Sequence, residues 1–243
     1  MRKTGTIHGV GIGPGDPDLM SVRADRLVRT ARNVAFFRKA GRPGRARAIV
    51  AGMIAEGARE IAMEYPVTTE IPLADPAYNA CLSQFYCEQT RRLRALAEDC
   101  EDVVVLCEGD PFFYGSFMHL HDRLVGQVPV EVVPAITGMS AAWTATGRPM
   151  TWGDDVLSVV MGTLPETDLV RAMQNADALV VMKVGRNLPK IRAALCHAGR
   201  ADQAVLVQYA SMEGQTVTPL AEAEDGPAPY FSIVIVHGEG RRP

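Results

Sequence analysis

The sequence predicts an α/β fold made of two α/β domains with largely parallel strands. Short β-branched runs alternate with segments of helical periodicity along the chain, and Gly/Pro-rich loops directly follow several of those runs. A second series of strands begins after a Gly/Pro/Trp patch at residues 147–153. We therefore assign residues 1–135 to the first domain and residues 136–243 to the second.

The first domain contains five predicted strands and two clear helices. The strands are residues 6–10, 33–37, 60–64, 102–107 and 130–133. A helix is predicted at 77–96 because apolar side chains recur there every three or four residues, and its aromatic residues are expected to lie in the core. Another is predicted at 21–31, opened by Asp16, Pro17 and Asp18, whose charge and fixed φ suit a first helical turn.

The second domain shows the same alternation. Its helices are predicted at residues 168–175 and 188–198, and its strands at 157–161, 178–182, 204–208 and 231–236.

Composition narrows the functional class. The 243 residues are 47% hydrophobic and carry a formal net charge of −3, so the chain can bury a core and has no global positive field for nucleic acid. No stretch approaches 18 apolar residues, so no membrane span is expected. The five cysteines are an odd set without a C-x-x-C pair, which predicts no disulfide framework and no metal site. Reduced cysteines indicate a cytoplasmic protein.

The loop at residues 9–17, Gly-Val-Gly-Ile-Gly-Pro-Gly-Asp-Pro, follows the first strand. Glycine lets a ligand approach the main chain, and proline stiffens the loop. The G-x-G-x-x-G spacing fails because Pro14 or Asp16 occupies the third glycine position, and without a Gly-Lys pair the Walker loop is excluded. The loop therefore predicts a ligand-binding cradle that is not a Rossmann dinucleotide site.

Two further loops of this kind follow strands, at residues 108–116 and 134–140. Ligands bind beyond the carboxyl ends of the strands in open parallel sheets, so three such loops would converge on one pocket. In that pocket the Asp110 carboxylate is a candidate ligand for an amine or a ribose. The alternative is that residues 110–111 form a helix-entry turn and the aromatic residues 112–114 fill the core.

Five basic residues occur within ten positions without an acidic one: Arg38, Lys39, Arg42, Arg45 and Arg47. This segment is either a solvated loop or a flexible arm that binds a carboxylate-rich or phosphorylated ligand.

Together these segments resemble the tetrapyrrole methylase family, whose members transfer methyl groups from S-adenosylmethionine and have two α/β domains with the cofactor between them. The resemblance rests on the Gly-Pro-Gly-Asp-Pro loop, the 109–111 loop, residues 133–138 and Met-Lys-Val-Gly-Arg-Asn at 182–187. Residues 64–70, the long helix and residues 113–116 resemble the branch that methylates C20 of precorrin-2, giving precorrin-3A in cobalamin biosynthesis.

The resemblance implies a homodimer, a tetrapyrrole substrate and a set of site residues. Arg38 and Lys39 become candidate contacts for the substrate carboxylates. Relatives that methylate uroporphyrinogen carry an Asp where this chain has Arg38, so that proton-transfer role is not carried over. A general base is not assigned, because Glu108, Tyr114 and His119 each have a plausible structural role. The implied cofactor contacts are Pro14, Glu108, Gly109, Asp110, Phe113, Thr137, Gly138, Val184 and Ala210.

Three alternatives remain open at this point. Another tetrapyrrole methylase, including one acting on cobalt-factor II, or a family member acting on a protein residue, would share the three loops. An NAD(P)-dependent oxidoreductase predicts NADH binding, which the failed G-x-G-x-x-G spacing disfavours. A non-catalytic tetrapyrrole carrier predicts pigment binding without an adenosyl pocket.

Overall fold

The computed structural model describes residues 4–67 and 75–241, and the chain divides into two compact units, Met1–Thr137 and Gly138–Pro243. Part of the 64–70 segment noted above, residues 68–70, lies outside the described residues.

The first unit contains a five-stranded sheet in which every pair of neighbouring strands is parallel. All five predicted strands are confirmed, with ends that differ by at most two residues. The strands are β1 (Ile7–Gly11), β2 (Asn33–Lys39), β3 (Arg59–Tyr65), β4 (Val103–Cys107) and β5 (Val130–Val133). They lie in the order β3-β2-β4-β1-β5, which places β4, β1 and β5 side by side.

Within residues 4–67 and 75–137, the α-helices of this unit are α1 (Val22–Thr30), α2 (Arg45–Ile49), α3 (Pro76–Glu98) and α4 (Phe117–Leu124). The prediction that residues 16–18 open α1 is wrong. Asp16 instead caps a separate 3-10 turn, Pro17–Leu19, and α1 begins after Ser21, whose Oγ accepts a hydrogen bond from Ala24 N at 3.1 Å.

Both faces of the first sheet are covered. On one face, buried side chains of α3 and α4 such as Phe85, Leu93 and Leu120 pack against the strands. On the other face, Val28 of α1 and Ala46 of α2 do the same. Of the α3 aromatic residues expected in the core, Phe85 and Tyr86 are buried, whereas Tyr78 is only half-buried.

The second unit contains a five-stranded mixed sheet in the order β6-β7-β10-β8-β9. Its strands are β6 (Leu157–Met161), β7 (Ala178–Met182), β8 (Ala204–Gln208), β9 (Thr216–Pro219) and β10 (Ser232–Val236). Its helices are α5 (Gly138–Ala145), α6 (Glu166–Gln174) and α7 (Leu188–His197).

The prediction of largely parallel pairing is wrong for this second sheet. Only β6 and β7 pair in parallel, whereas β7–β10, β10–β8 and β8–β9 are antiparallel. Residues 209–215 join β8 to β9, and such a short connection supports an antiparallel return but not a helical crossover. Strand β9 was missed because it is a short, exposed edge strand that ends in Pro219.

Helix α5 lies in a segment that we interpreted as loop, and its Ala142 is fully buried. No helix among the described residues is long and apolar enough to cross a membrane.

Candidate functional site

The three glycine- and proline-containing loops of the first unit meet, as the parallel sheet requires. Strands β4, β1 and β5 are neighbours and parallel, so the loops that follow them leave from the same edge. Gly109 N donates a hydrogen bond to Gly13 O at 2.8 Å, and Ile12 N donates to Cys107 O at 3.0 Å. These bonds extend the β1–β4 pairing into the two loops and hold them together.

Gly11 shows how closely the three loops approach one another. A Cβ atom added there would lie 2.6 Å from Ala135 Cβ, 2.8 Å from Gly109 O and 2.9 Å from Pro111 Cδ. These atoms belong to the loops after β5 and β4. The glycine is therefore required by packing, and the first loop serves to bring the main chains of three loops together.

The carboxylate of Asp110 joins two of these loops. Its Oδ1 accepts a hydrogen bond from Phe112 N at 2.9 Å, and its Oδ2 accepts one from Ala135 N at 3.0 Å. Both carboxylate oxygens thus accept main-chain hydrogen bonds, which gives Asp110 a structural function in joining the loops after β4 and β5. Its contact with an amine or a ribose stays a prediction.

The remaining first-unit positions of the implied cofactor set differ in exposure. Pro14 is buried, whereas Glu108, Phe113 and Thr137 are half-buried. The neighbouring Cys107 thiol is fully buried, and burial, with the Asp110 and Glu108 carboxylates, raises the pKa of this thiol above its ordinary range. Cys107 is therefore a protonated packing residue and not a nucleophile.

The aromatic residues 112–114 do not fill the core, so the alternative that they are core residues is wrong. Phe112 is 48% exposed and Tyr114 is 44% exposed. Tyr114 has a φ of 55°, a left-handed conformation that is uncommon for an aromatic residue. The rings of Phe113 and Tyr114 meet edge to face, with centroids 4.7 Å apart. The segment therefore presents an aromatic surface.

The second unit has its own strained edge. Strands β7 and β8 are both antiparallel to β10, so their carboxyl ends lie at the same edge of the sheet. Directly after them, Lys183, Tyr209 and Ser211 have φ values of 57°, 52° and 61°. Positive φ at non-glycine residues is costly and concentrates at functional sites. The sequence carried no signal for it, since none of these residue types demands that conformation.

Val184 and Ala210 lie within this strained edge. The Val184 side chain is fully buried in the core of the second unit, and Ala210 is partly buried against another core cluster. A ligand at Val184 would therefore contact its main chain. Gly138 begins α5, and a Cβ there would meet only Ile233 Cδ1, at 3.7 Å.

The basic segment is not the flexible arm that its composition indicated. Arg38 and Lys39 belong to β2, and residues 45–49 form α2. Arg38 donates to Glu64 Oε1 from Nε at 2.8 Å and from Nη2 at 2.5 Å. Residues 38–47 contain no acidic residue, and the carboxylate that pairs with Arg38 comes from the neighbouring strand β3. This pairing could not be read from the segment alone.

Arg47 is paired in the same way. Its Nε donates to Glu60 Oε2 at 2.6 Å and its Nη2 to Glu60 Oε1 at 2.8 Å. This hydrogen-bonded pairing lowers the pKa of the Glu60 carboxyl and raises the pKa of Arg47.

An open groove of 680 Å³ runs between β3 and α3. Its lining includes Arg38, Glu64, Gln89 and Arg92, and none of the implied cofactor contacts belongs to its described lining. The first-unit members of the implied cofactor set lie on the converging loops, whereas Arg38 lies in the lining of the groove.

Comparison with known proteins agrees with this architecture. The family model for Tetrapyrrole (Corrin/Porphyrin) Methylases matches residues 6–224. A precorrin-2 C(20)-methyltransferase from Sinorhizobium sp is 49% identical over 239 residues, covering 98% of each chain. A cobalt-precorrin-2 C(20)-methyltransferase from Salmonella typhimurium is 28% identical over 238 residues, covering 96% of each chain.

A solved structure shares the fold. The uroporphyrin-III C-methyl transferase from Thermus thermophilus, complexed with S-adenosyl homocysteine, superposes with a TM-score of 0.68 at 23% identity. The match covers 96% of this chain and 92% of that one.

Proposed function

Because this chain belongs to the tetrapyrrole (corrin/porphyrin) methylase family, we propose that it methylates C20 of precorrin-2 with S-adenosylmethionine as methyl donor. The observation that carries the proposal is the 49% identity, over nearly the full length of both chains, to a precorrin-2 C(20)-methyltransferase. The convergence of three main-chain loops at one sheet edge supports a small-molecule site in the first unit. We further propose that the protein acts in the cytoplasm and as a homodimer.

The residues present fit such a donor through main-chain atoms. The close approach at Gly11 and the Gly13–Gly109 bridge hold the main chains of these loops together, which concentrates N–H and C=O groups at this edge. The amino, carboxylate and ribose groups of S-adenosylmethionine are hydrogen-bonding partners for such groups. The proposed contacts in the first unit are Pro14, Glu108, Gly109, Asp110, Phe113 and Thr137, and those in the second unit are Gly138, Val184 and Ala210.

When bound, S-adenosylmethionine supplies a sulfonium methyl group that is already a strong electrophile. The protein's own task is therefore to align the reacting carbon and to exclude water. Asp110 performs part of this task by joining the loops after β4 and β5.

The proton at C20 must leave after methylation, and a positioned base or water would accept it. Of the three groups considered, the His119 ring packs on Tyr86, with centroids 4.6 Å apart, whereas Tyr114 is exposed on the aromatic surface. The base itself is not assigned.

Precorrin-2 is rich in carboxylates, so we propose Arg38 and Lys39 as docking residues. In the structure Arg38 is already paired with Glu64. A substrate carboxylate must therefore share the guanidinium with Glu64 or displace it. A guanidinium carries five N–H groups, and Glu64 accepts from the Nε and Nη2 atoms of Arg38, so the geometry of the group allows sharing.

The test begins with calorimetric titration of the purified protein with S-adenosylhomocysteine and, separately, NADH. Micromolar binding of the former alone is expected. Incubation with methyl-labelled S-adenosylmethionine and precorrin-2 should then place one labelled methyl group at C20, as read by mass spectrometry and NMR. Binding of NADH alone would favour an oxidoreductase, and pigment binding without S-adenosylhomocysteine binding would favour a carrier.

A second candidate substrate is cobalt-precorrin-2, because the Salmonella typhimurium relative acts on it. Its identity of 28% is well below the 49% of the relative named for the metal-free substrate, so the metal-free substrate is preferred. Parallel assays with the two substrates distinguish them by kcat/KM.

A further inference from the structure

Tyr65, Tyr86 and Ser116 bring three hydroxyl groups together in the first unit. Tyr65 ends β3, Tyr86 lies within α3, and Ser116 immediately precedes α4. The Tyr65 and Ser116 hydroxyls share a hydrogen bond, and the Tyr86 hydroxyl lies near enough to both that they lower its pKa against the larger effect of burial. We call this cluster the hydroxyl triad. No sequence motif indicated it, because its members are far apart in the chain.

Aromatic packing fixes the two tyrosine rings. Tyr65 stacks on Phe37 with centroids 5.5 Å apart and an interplanar angle of 15°, and Phe85 contacts it with a centroid distance of 5.2 Å. Tyr86 is only 5% exposed and packs against His119. Burial raises the pKa of Tyr86, so its hydroxyl stays protonated at neutral pH. The hydroxyl groups therefore occupy defined positions.

Ser116 departs from the usual behaviour of a serine at this place. A serine that precedes a helix normally accepts a hydrogen bond from a main-chain N–H of the first turn. Ser116 makes no such bond, and its own backbone is already helical, with φ −68° and ψ −21°. Its hydroxyl bonds to the Tyr65 hydroxyl instead. Capping of α4 therefore does not account for this serine.

The triad anchors the end of the exposed aromatic loop. Ser116 closes the segment 112–116, which follows β4, whereas Tyr65 belongs to the edge strand β3. Since β2 lies between β3 and β4, the Tyr65–Ser116 bond spans the carboxyl end of β2, the strand that carries Arg38. Tyr114, two residues before Ser116, is the exposed residue with positive φ.

We propose that the hydroxyl triad holds the 112–116 loop in the conformation that presents Tyr114 to the tetrapyrrole, which makes Tyr65 and Ser116 positioning residues for substrate binding. The inference rests on the proposed function. A flat conjugated macrocycle is a suitable partner for an exposed tyrosine ring held at a fixed angle.

The variants Tyr65→Phe and Ser116→Ala test this arrangement. Each removes the Tyr65–Ser116 hydrogen bond with little change in shape. The loss of one hydrogen bond predicts an increase of about fivefold in KM for precorrin-2. We expect kcat to stay within about twofold of the wild type, a difference small against the effect of one hydrogen bond.

Three controls separate positioning from general structural damage. The double variant Tyr65→Phe with Ser116→Ala should raise KM by less than the product of the two single effects, because both single changes remove the same Tyr65–Ser116 bond. Ser116→Thr retains a hydroxyl and should restore KM. Tyr78→Phe removes a phenol hydroxyl from the same helix as Tyr86 but outside the triad, and it should leave KM unchanged.

Amide hydrogen exchange measures the mobility of the 112–116 loop directly. Peptides covering residues 112–116 should exchange faster in Tyr65→Phe and Ser116→Ala than in the wild type or Tyr78→Phe. An active wild-type enzyme whose Tyr65→Phe and Ser116→Ala variants keep the wild-type KM would overturn the positioning inference. A wild type that binds S-adenosylhomocysteine but does not methylate precorrin-2 would instead overturn the proposed function.

Discussion

The carboxylate of Asp110 accepts a hydrogen bond from the main-chain N–H of Ala135 at 3.0 Å, which ties the loop after β4 to the loop after β5. Its other oxygen accepts from Phe112 N at 2.9 Å. The first bond holds the two loops together, and the second fixes the turn that follows Asp110 within its own loop. Removal of the Asp110 charge should therefore weaken the connection between these two loops.

Replacement of Asp110 by Asn should lower the stability of the protein by about 1 to 2 kcal/mol, because the amide nitrogen would face a main-chain N–H. Affinity for S-adenosylhomocysteine should fall as well, since two of the proposed contact loops lose their connection. Urea unfolding and calorimetric titration measure the two effects. Asp75→Asn is the control, because Asn retains the capping oxygen that accepts from Ala77 N. Equal effects of the two substitutions would contradict the bridging function of Asp110.

The substitution Gly11→Ala should destabilise the protein by about 1 to 3 kcal/mol, because its Cβ overlaps atoms of two other loops. Chemical unfolding provides the measurement. Gly138→Ala is the control and should not lower the stability, because a Cβ there makes only an ordinary contact and alanine favours the first turn of α5. If Gly11→Ala were as stable as Gly138→Ala, the close packing of the three loops would be wrong.

The effect of backbone strain at Lys183 can be measured apart from the loss of its side chain, because both glycine and alanine remove that side chain. At a φ of 57°, Lys183→Gly should be more stable than Lys183→Ala by about 1 kcal/mol, because glycine tolerates the left-handed region. The same pair at Lys190, within α7, should show the reverse order, with alanine more stable by about 1 kcal/mol. Thermal or urea unfolding of the four variants gives both differences. The same order at the two sites would argue against strain at Lys183.

His237 should make stability depend on pH. It is only 4% exposed, and burial lowers its pKa below the ordinary value although a hydrogen bond to Pro149 O opposes this shift. The folded state therefore favours the neutral ring. Its contribution is complete above the unfolded pKa of about 6.5 and is lost as the pH falls through the lower folded value. The free energy of unfolding of the wild type should thus fall on acidification more steeply than that of His237→Gln. Parallel curves for the two proteins would exclude this function of His237.

Arg38 and Arg47 form a matched pair for testing substrate docking. Each is bound to a glutamate of β3, so replacing either with Ala should cost about 1 kcal/mol or less in stability. Only Arg38→Ala, alone or with Lys39→Ala, should raise KM for precorrin-2, by roughly tenfold for one charge-assisted contact. Steady-state kinetics on Arg38→Ala, on Arg38→Ala with Lys39→Ala and on Arg47→Ala measures the three KM values. Unchanged KM in Arg38→Ala would make Arg38 a structural partner of Glu64.

Much of the fold was predictable because its signals are local. Strands β1 to β5 and the long helix α3 follow from alternation and three-to-four periodicity within short windows. Edge strand β9 and helix α2 were missed because their windows are short and dominated by turn residues or charge. The site was predictable to the level of its loops, since glycine and proline after a strand mark the carboxyl edge of a parallel sheet.

By itself, the sequence determined which segments become strands, which loops carry glycine, and which family the chain resembles, because those features depend on neighbouring residues. Only the tertiary structure decided the partners: Glu64 for Arg38, Ala135 for Asp110, and Ser116 for Tyr65. It also decided the antiparallel pairing of the second sheet and the positive φ of Lys183. These depend on which strands become neighbours, and strand order is set by packing of the whole unit and not by any local pattern.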